Sequence, residues 1–239
     1  MISKKKIARR AGVLYLLLAL VGPFSLMYVP QTLLVPGDAA ATASNILASE
    51  GLFRLGLVGE AAIFLIEVAL TVLLYVLLKT VGETVSLVAA LSRLSMTVVQ
   101  SVNVLMGLAA VSLLGGAGYA AVFEPGQVQG LAMLFLDARE AGVIVWEAFF
   151  GLHLLLLGYL FVKSGYIPRV LGTMVVVASF GYLLHSFGNF LFPEYHAIFQ
   201  TTLLLLSVIP ELSLTLWLLI RGVDEGQEEA GLALRSTPA

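Results

Sequence analysis

Long stretches without a charged side chain dominate this sequence. No Asp, Glu, Lys or Arg occurs in residues 11–37, 94–123 or 170–193. Each stretch exceeds the roughly 20 apolar residues that a helix, rising about 1.5 Å per residue, needs to cross about 30 Å of hydrocarbon. Segments of this length must satisfy their backbone groups internally, so they are expected to cross a membrane as helices.

The composition agrees with a membrane-embedded chain. Of 239 residues, 59% are hydrophobic and 12% charged, and the mean hydropathy is +1.00. These values lie outside the usual range for a water-soluble globular protein, and the expected partner is the lipid bilayer. The absence of cysteine excludes disulfides, thiolate metal sites and iron–sulfur clusters. A formal net charge of -2 gives no support for a nucleic-acid partner.

The sequence predicts an all-α, polytopic membrane protein with six transmembrane helices in one bundle. The predicted spans are residues 11–29, 55–78, 94–114, 141–162, 170–190 and 199–220. Residues 1–223 are expected to form a single transmembrane domain. Residues 224–239 are polar and are predicted to be a disordered cytoplasmic tail.

The distribution of Lys and Arg predicts the orientation, because loops rich in these residues stay in the cytoplasm. The basic residues assigned to that side are Lys4, Lys5, Lys6, Arg9, Arg10, Lys79, Lys163, Arg169 and Arg221. Only Arg54 and Arg139 fall on the other side. Both termini are therefore predicted to be cytoplasmic, with the protein in the cytoplasmic (inner) membrane. A cleaved signal peptide is the alternative for the first span, but no small-residue cleavage pattern follows it.

The first external loop contains signals for a short helix. Pro36, Gly37 and Asp38 precede residues 39–49, and the Asp38 side chain can cap the free N–H groups at the start of a helix. Gly51 is a residue that could end it. We therefore expect a short external helix in this loop.

Two other regions carry backbone signals. The second half of residues 115–140 could form either an interfacial helix or the start of an over-long fourth helix, and the sequence leaves both open. Gly22 with Pro23 is expected to kink the first helix. Pro210 is expected to open the backbone of the sixth helix beside Glu211.

Ionisable side chains inside the spans mark the candidate site. A charge near the bilayer centre costs about 2.5 to 3.5 kcal/mol, so such groups must be neutral, paired or turned toward a polar interior. Helical spacing places polar residues in one stripe on each of four helices, and we expect these stripes to converge on an interior seam. The residues predicted to bind a ligand or ion are Glu60, Glu67, Asn103, Glu147, His185 and Glu211, with Arg54, Gln100, Arg139, His153 and Asn189 as further candidates.

The helical rise separates the ionisable groups into two predicted layers. The outer layer contains Glu60, Glu147 and His185, and the deeper layer contains Glu67, His153 and Glu211. His153 follows Glu147 by six residues, which turns it about 120° away around the helix axis. His153 is therefore either part of the seam or a structural contact between helices.

Motifs for chemistry are sparse, and several functions stay open. The spans contain no His-Glu-x-x-His or Glu-x-x-His pair for a metal, and no Gly-x-Ser-x-Gly nucleophile. No cofactor is expected, and a protein that is not an enzyme is favoured. The first hypothesis is binding or transport of a small ligand or ion, with Glu67 and Glu211 as proton or cation acceptors in an interior cavity. The alternatives are a membrane-embedded enzyme acting on a lipid or isoprenoid, and an accessory or immunity-type protein that binds another membrane protein.

Six segments also carry a family resemblance. They are Arg10-Ala-Gly-Val-Leu-Tyr15, Val35-Pro-Gly-Asp-Ala-Ala-Ala-Thr42 with Asn45, Leu52-Phe-Arg-Leu-Gly56, Phe149-Phe-Gly-Leu-His153, Gly165-Tyr-Ile-Pro-Arg-Val-Leu-Gly172 and Glu211-Leu-Ser-Leu-Thr-Leu-Trp-Leu-Leu-Ile-Arg-Gly222. Together they resemble an uncharacterised bacterial family of six-helix membrane proteins, the domain of unknown function number 4386. The resemblance implies a six-helix bundle and no assigned activity.

Overall fold

The computed structural model describes residues 3–116, 118 and 122–223. Within these ranges the chain is helical and contains no β-strand, which confirms the predicted all-α class. The helices are α1 (Lys4–Gly22), α2 (Val29–Leu33), α3 (Ala39–Ala48), α4 (Glu50–Leu78), α5 (Glu83–Leu114), α6 (Pro125–Ser164), α7 (Arg169–Leu191) and α8 (His196–Ile220). A π-helix, Pro23–Tyr28, joins α1 to α2, and a short 3-10 helix, Pro193–Tyr195, precedes α8.

Six helical stretches in the described ranges are long and apolar enough to cross a membrane. They are Lys4–Leu33, Glu50–Leu78, Glu83–Leu114, Pro125–Ser164, Arg169–Leu191 and Pro193–Ile220. Each predicted span lies inside one of them, so the predicted number of spans is confirmed. The chain is a multi-pass membrane protein.

Helices α5 and α6 extend well beyond their predicted spans. They contain 32 and 40 residues, or about 48 and 60 Å at a rise of about 1.5 Å per residue. Both exceed the roughly 30 Å of a hydrocarbon core. Because α6 is continuous from Pro125, residues 126–140 form the start of an over-long fourth helix and not a separate interfacial helix.

The first spanning stretch changes its helical type at the predicted kink. Gly22 ends α1, and Pro23 begins six residues of π-helix. Proline lacks the N–H that an α-helical turn would use, and π-helical turns are rare in proteins, so this position marks a local irregularity of the helix. Ser25 is buried within it.

The predicted helix in the first loop is α3. The Asp38 carboxylate accepts a hydrogen bond from the Ala41 N–H at 2.9 Å, as expected for a cap, and Gly37 supplies a turn at φ +75°. The expectation that Gly51 ends this helix is wrong. Ser49 already leaves the helical conformation, and Gly51 lies in the first turn of α4.

The described residues pack into two compact units. The first unit contains the described parts of Met1–Leu17, Glu67–Met96 and Trp146–Ala239. The second contains those of Leu18–Ile66 and Thr97–Val145. The single domain expected for residues 1–223 stays a prediction, and the tail at 224–239 lies outside the described residues.

Small residues bring helices of the first unit close together. A Cβ added to Gly158 on α6 would lie 2.8 Å from the backbone nitrogen of Val176 and 2.9 Å from the carbonyl oxygen of Gly172, both on α7. A Cβ on Gly12 of α1 would lie 2.7 Å from the Cα of Leu219 on α8. Contacts this close require glycine, and they hold the helices that carry the buried polar groups.

The second unit has its own apolar core, to which α2 to α6 all contribute. Ile46 of α3 is fully buried there, so the short helix is anchored by its apolar face. The buried members are Val29, Leu33, Ile46, Phe53, Leu57, Ala110, Val111, Ala132 and Leu136.

Candidate functional site

A buried arginine stands at the centre of the polar side chains in the first unit. Arg93, on α5, has only 1% of its side chain exposed, and its Nη2 lies 2.6 Å from Oε2 of Glu67 on α4. Removing one partner of a buried ion pair leaves an uncompensated charge, which typically costs 3–5 kcal/mol. Arg93 therefore neutralises Glu67 and fixes α5 against α4. The predicted role of Glu67 in ligand or ion binding stays a prediction.

His153 and Tyr15 hold Arg93 in place. Nη1 of Arg93 lies 2.9 Å from Nε2 of His153, while Nδ1 of the same ring lies 2.8 Å from the carbonyl oxygen of Ala89. Because a guanidinium only donates and a carbonyl only accepts, the ring is neutral with its proton on Nδ1. Tyr15 of α1 accepts from Nη1 at 3.3 Å. Of the two roles predicted for His153, these bonds favour the structural contact between helices.

Glu211 has a different kind of partner. The phenol of Tyr182 on α7 donates a hydrogen bond to Oε1 of Glu211 on α8 at 2.7 Å. Glu211 is partly exposed and lies within electrostatic range of Arg93 and Glu67. The four side chains Arg93, Glu67, Tyr15 and His153 are called the arginine cluster below, and Glu211 borders it.

A second polar group in the first unit surrounds His185. Nδ1 of His185 is hydrogen-bonded to Oε2 of Glu147 on α6, and both side chains are buried. The side-chain amide of Asn189 donates to the His185 carbonyl at 2.6 Å and accepts from Nδ1 of His196 at 2.8 Å. We call Glu147, His185, Asn189 and His196 the histidine group.

The second unit contains a separate ion pair. Oε1 of Glu60, on α4, is bonded to the Arg139 guanidinium of α6, and Oε2 accepts from the Gln100 amide of α5 at 2.8 Å. Gly107 makes room for the arginine, because a Cβ there would lie 3.3 Å from Arg139 Nη1. Both oxygens of the Glu60 carboxylate are therefore already bonded. Three of the predicted site residues meet in this Glu60 cluster.

Two other candidates have contacts of a different kind. Asn103 of α5 is buried, and its side-chain oxygen occupies the position that a Cβ of residue 142 would take. The lack of a side chain at Gly142 therefore makes room for Asn103. Arg54 forms an exposed ion pair with Glu50 four residues earlier at 2.6 Å. Exposed pairs of this kind contribute roughly 0–1 kcal/mol, so this contact contributes little to stability.

The residues of the predicted outer layer have different partners, and the layer itself stays a prediction. Glu60 belongs to the second unit and Glu147 to the first, and each has a basic partner of its own. The deeper layer contains residues that do meet, since Glu67 and His153 both contact Arg93 and Glu211 lies nearby.

Sequence reasoning missed Arg93 and His196. Arg93 was placed just outside a third span that began at Leu94, yet it shares a helical face with Gln100, seven residues later, which was the available signal. His196 stands three residues before the sixth predicted span, and the sequence does not identify it as a partner for Asn189. No sequence signal identified Tyr182 as the partner of Glu211.

The chemistry of these clusters suits hydrogen bonding and charge binding. In the described ranges, no group of three or more His, Cys, Asp or Glu side chains is placed to hold a metal ion. The donors and acceptors instead form pairs of an acid with a base, apart from Glu211, whose hydrogen-bond partner is a phenol. Such a set can bind and release a proton or a small cation.

Comparisons with known proteins agree on a family without an assigned activity. A family model described as "Domain of unknown function (DUF4386)" matches residues 10–222, a range that includes every residue of the clusters above. An uncharacterized protein of Archaeoglobus fulgidus is 28% identical over 168 residues, which is 70% of this chain and 83% of that protein. No solved structure matches the chain.

Proposed function

We propose that this chain, which belongs to the DUF4386 family of unknown function, binds or conducts a small cation through the membrane, with Glu211 as the group that takes it up and releases it. A proton is the simplest such cation. The observation that carries the proposal is the hydrogen-bond partner of Glu211, which is the neutral phenol of Tyr182 and not a base.

The charges around Glu211 support this assignment. Arg93 supplies one positive charge, whereas Glu67 and Glu211 supply two negative charges when both are ionised. One negative charge therefore stays uncompensated in an environment where a buried ion costs several kcal/mol. Binding one proton or one monovalent cation at Glu211 removes this excess.

The geometry also distinguishes Glu211 from Glu67. Glu67 is buried and lies 2.6 Å from the Arg93 guanidinium, so adding a proton to it would break this direct ion pair. Glu211 is partly exposed, and its bond from Tyr182 can persist in both protonation states because the carboxyl oxygen accepts in each. We infer that Glu67 fixes the arginine and that Glu211 exchanges the cation.

The test is proton and cation flux in liposomes. The purified protein is reconstituted with a pH-sensitive dye inside, and a potassium gradient with valinomycin drives uptake. Glu211→Gln, which keeps the size of the side chain and loses its charge, is expected to reduce flux at least tenfold. Glu194→Gln is the matched control, because Glu194 is exposed on the 3-10 helix and the same charge is lost.

Equal flux in Glu211→Gln and the parent protein would contradict the proposal. Flux lost equally in both variants would also count against it, because the loss would then follow the net charge and not the site. A set of gradients with protons, sodium or potassium as the only permeant cation identifies which ion is carried.

A further inference from the structure

Helix α7 presents three polar side chains on one face, and each reaches a group on another element. Tyr182, His185 and Asn189 are three and four residues apart, which aligns them along the helix. At one end Tyr182 bonds Glu211, and about 10 Å further along Asn189 bonds His196. This face links a partly exposed histidine at the start of α8 to the proposed cation site.

His185, in the middle of this face, has one ring nitrogen bonded and one unused. It is 5% exposed, and Nδ1 is bonded to Glu147, but the buried Nε2 has no hydrogen-bond partner among the described residues. Because a carboxylate only accepts, Nδ1 carries the proton and Nε2 of the neutral ring is an acceptor. A buried acceptor without a partner costs about 1–3 kcal/mol. Nε2 therefore fits a ligand that supplies a proton.

His196 is oriented in the same way. The Asn189 amide donates to the His185 carbonyl, so its oxygen is left to accept from Nδ1–H of His196. Nε2 of a neutral His196 is then also an acceptor. The two imidazole rings lie edge to face with their centroids 5.2 Å apart, and His196 is the more exposed of the two.

We propose, on the basis of the function proposed for Glu211, that Glu147, His185 and His196 form a proton-loading site that exchanges protons with Glu211 along α7. A proton bound at Nε2 converts His185 to an imidazolium, whose Nδ1–H still donates to Glu147. The net charge of this pair changes from one negative charge to none. The loading site thus holds a proton without leaving an unpaired charge in the interior.

Tyr182 connects the loading site to Glu211. Its phenol donates to Glu211 and lies within electrostatic range of Glu147 as well. The phenol gives its proton to Glu211 while a water molecule that has been protonated at the loading site returns one to the phenol oxygen. Tyr182 is unchanged after the step, and one proton has moved from the loading site to Glu211.

Charged and titratable groups from several helices surround His185 and Glu211. His185 faces Glu147 from α6 and His196 from α8. The groups that face Glu211 are Tyr15 from α1, Glu67 from α4, Arg93 from α5 and Tyr182 from α7. Each variant below changes only one of these groups, so an altered proton flux reports the residue that was replaced.

The liposome assay tests the loading site directly. His185→Gln keeps a polar side chain but cannot carry a proton, and it is expected to slow proton flux at least tenfold. His196→Ala is expected to slow flux several-fold, and imidazole added to the medium is expected to restore it, because a free imidazole can carry the proton that the side chain carried. Glu194→Gln is again the control, because it removes a charge near the start of α8 without changing a residue of the loading site.

The outcomes separate this proposal from the preceding one. If Glu211→Gln stops flux while His185→Gln keeps the rate of the parent, the loading site is refuted and the role of Glu211 stands. If neither variant changes flux, the function proposed for Glu211 has failed. A loss of flux in His196→Ala that imidazole does not restore indicates a structural role and contradicts proton loading. His196→Ala therefore keeps the test decisive if His185→Gln does not fold.

A second measurement reads the histidine without relying on flux. In protein labelled with nitrogen-15 histidine, the His185 signals are expected to show a ring protonated on Nδ1, because that nitrogen donates to the Glu147 carboxylate and leaves Nε2 as the acceptor. Assignment follows from the signal lost in His185→Gln. A ring protonated on Nε2 instead of Nδ1 would refute the loading site whatever the flux.

Discussion

The ion pair between Arg93 and Glu67 gives the sharpest test of how the buried charges are balanced. The perturbation is a double-mutant cycle with Glu67→Gln, Arg93→Met and the combined variant. The two groups lie 2.6 Å apart, and only 1% of the Arg93 side chain and 9% of the Glu67 side chain are exposed, so each is shielded from solvent. Removing one partner of such a pair typically costs 3–5 kcal/mol, because the other charge stays buried.

The structure predicts that the two single variants differ. In Glu67→Gln the guanidinium keeps Tyr15 and His153 and still has the charge of Glu211 nearby, so the cost is expected at the lower limit, about 3 kcal/mol. In Arg93→Met two acids are left facing each other, and the cost is expected near 5 kcal/mol. His153 also loses the donor to its Nε2 in that variant.

The combined variant removes both charges and is expected to cost less than the sum of the two single changes by at least about 2 kcal/mol. Unfolding by sodium dodecyl sulfate in mixed micelles, followed by tryptophan fluorescence, gives the free energies. The protein contains two tryptophans, and Trp146 stacks on Phe150 within the first unit. Additive costs would refute the pairing, and a smaller cost for Arg93→Met than for Glu67→Gln would refute the proximity of Glu211.

Further variants test individual contacts, again by the free energy of unfolding. Gly158→Ala is expected to destabilise by about 1–3 kcal/mol, because its Cβ would meet the backbone of α7, whereas Gly130→Ala on the same helix has open space and should stabilise slightly. Replacing His153 by Leu is expected to cost about 1–3 kcal/mol more than replacing it by Gln, since the amide can still accept from Arg93. Glu60→Gln is expected to cost about 3–5 kcal/mol through its buried bond to the Arg139 guanidinium. A cost within about 0.5 kcal/mol of zero for Gly158→Ala, His153→Leu or Glu60→Gln would refute the corresponding contact.

The number of helices could be predicted from the sequence because hydrophobic length depends on composition alone. All six predicted spans lie inside helices of sufficient length. The helix ends could not be predicted in the same way. Helix α5 begins eleven residues before the predicted span at Leu94, since a helix continues through polar turns such as the one that contains Arg93 for as long as neighbouring helices pack on it.

The candidate site was predicted in part, and the missing part has a physical reason. Glu60, Gln100 and Arg139 were all expected at the site, and they meet. Helical spacing predicts which face of a helix a residue occupies, but it does not predict which face of another helix lies opposite. The pairing of Glu67 with Arg93 therefore required the tertiary structure, and so did the pairing of Glu60 with Arg139.

The partner of each acid, more than its depth, distinguishes the acid that can exchange a cation. Glu60 and Glu67 each contact an arginine, so each negative charge is compensated by a dedicated partner. Glu147 contacts His185, whose ring takes up the proton in the proposed loading site. Glu211 contacts the phenol of Tyr182, which donates a hydrogen bond and supplies no charge. A cation bound at Glu60 or Glu67 competes with an arginine already in place, whereas a cation bound at Glu211 displaces none. Glu211 is therefore the acid whose occupancy can change at the lowest electrostatic cost.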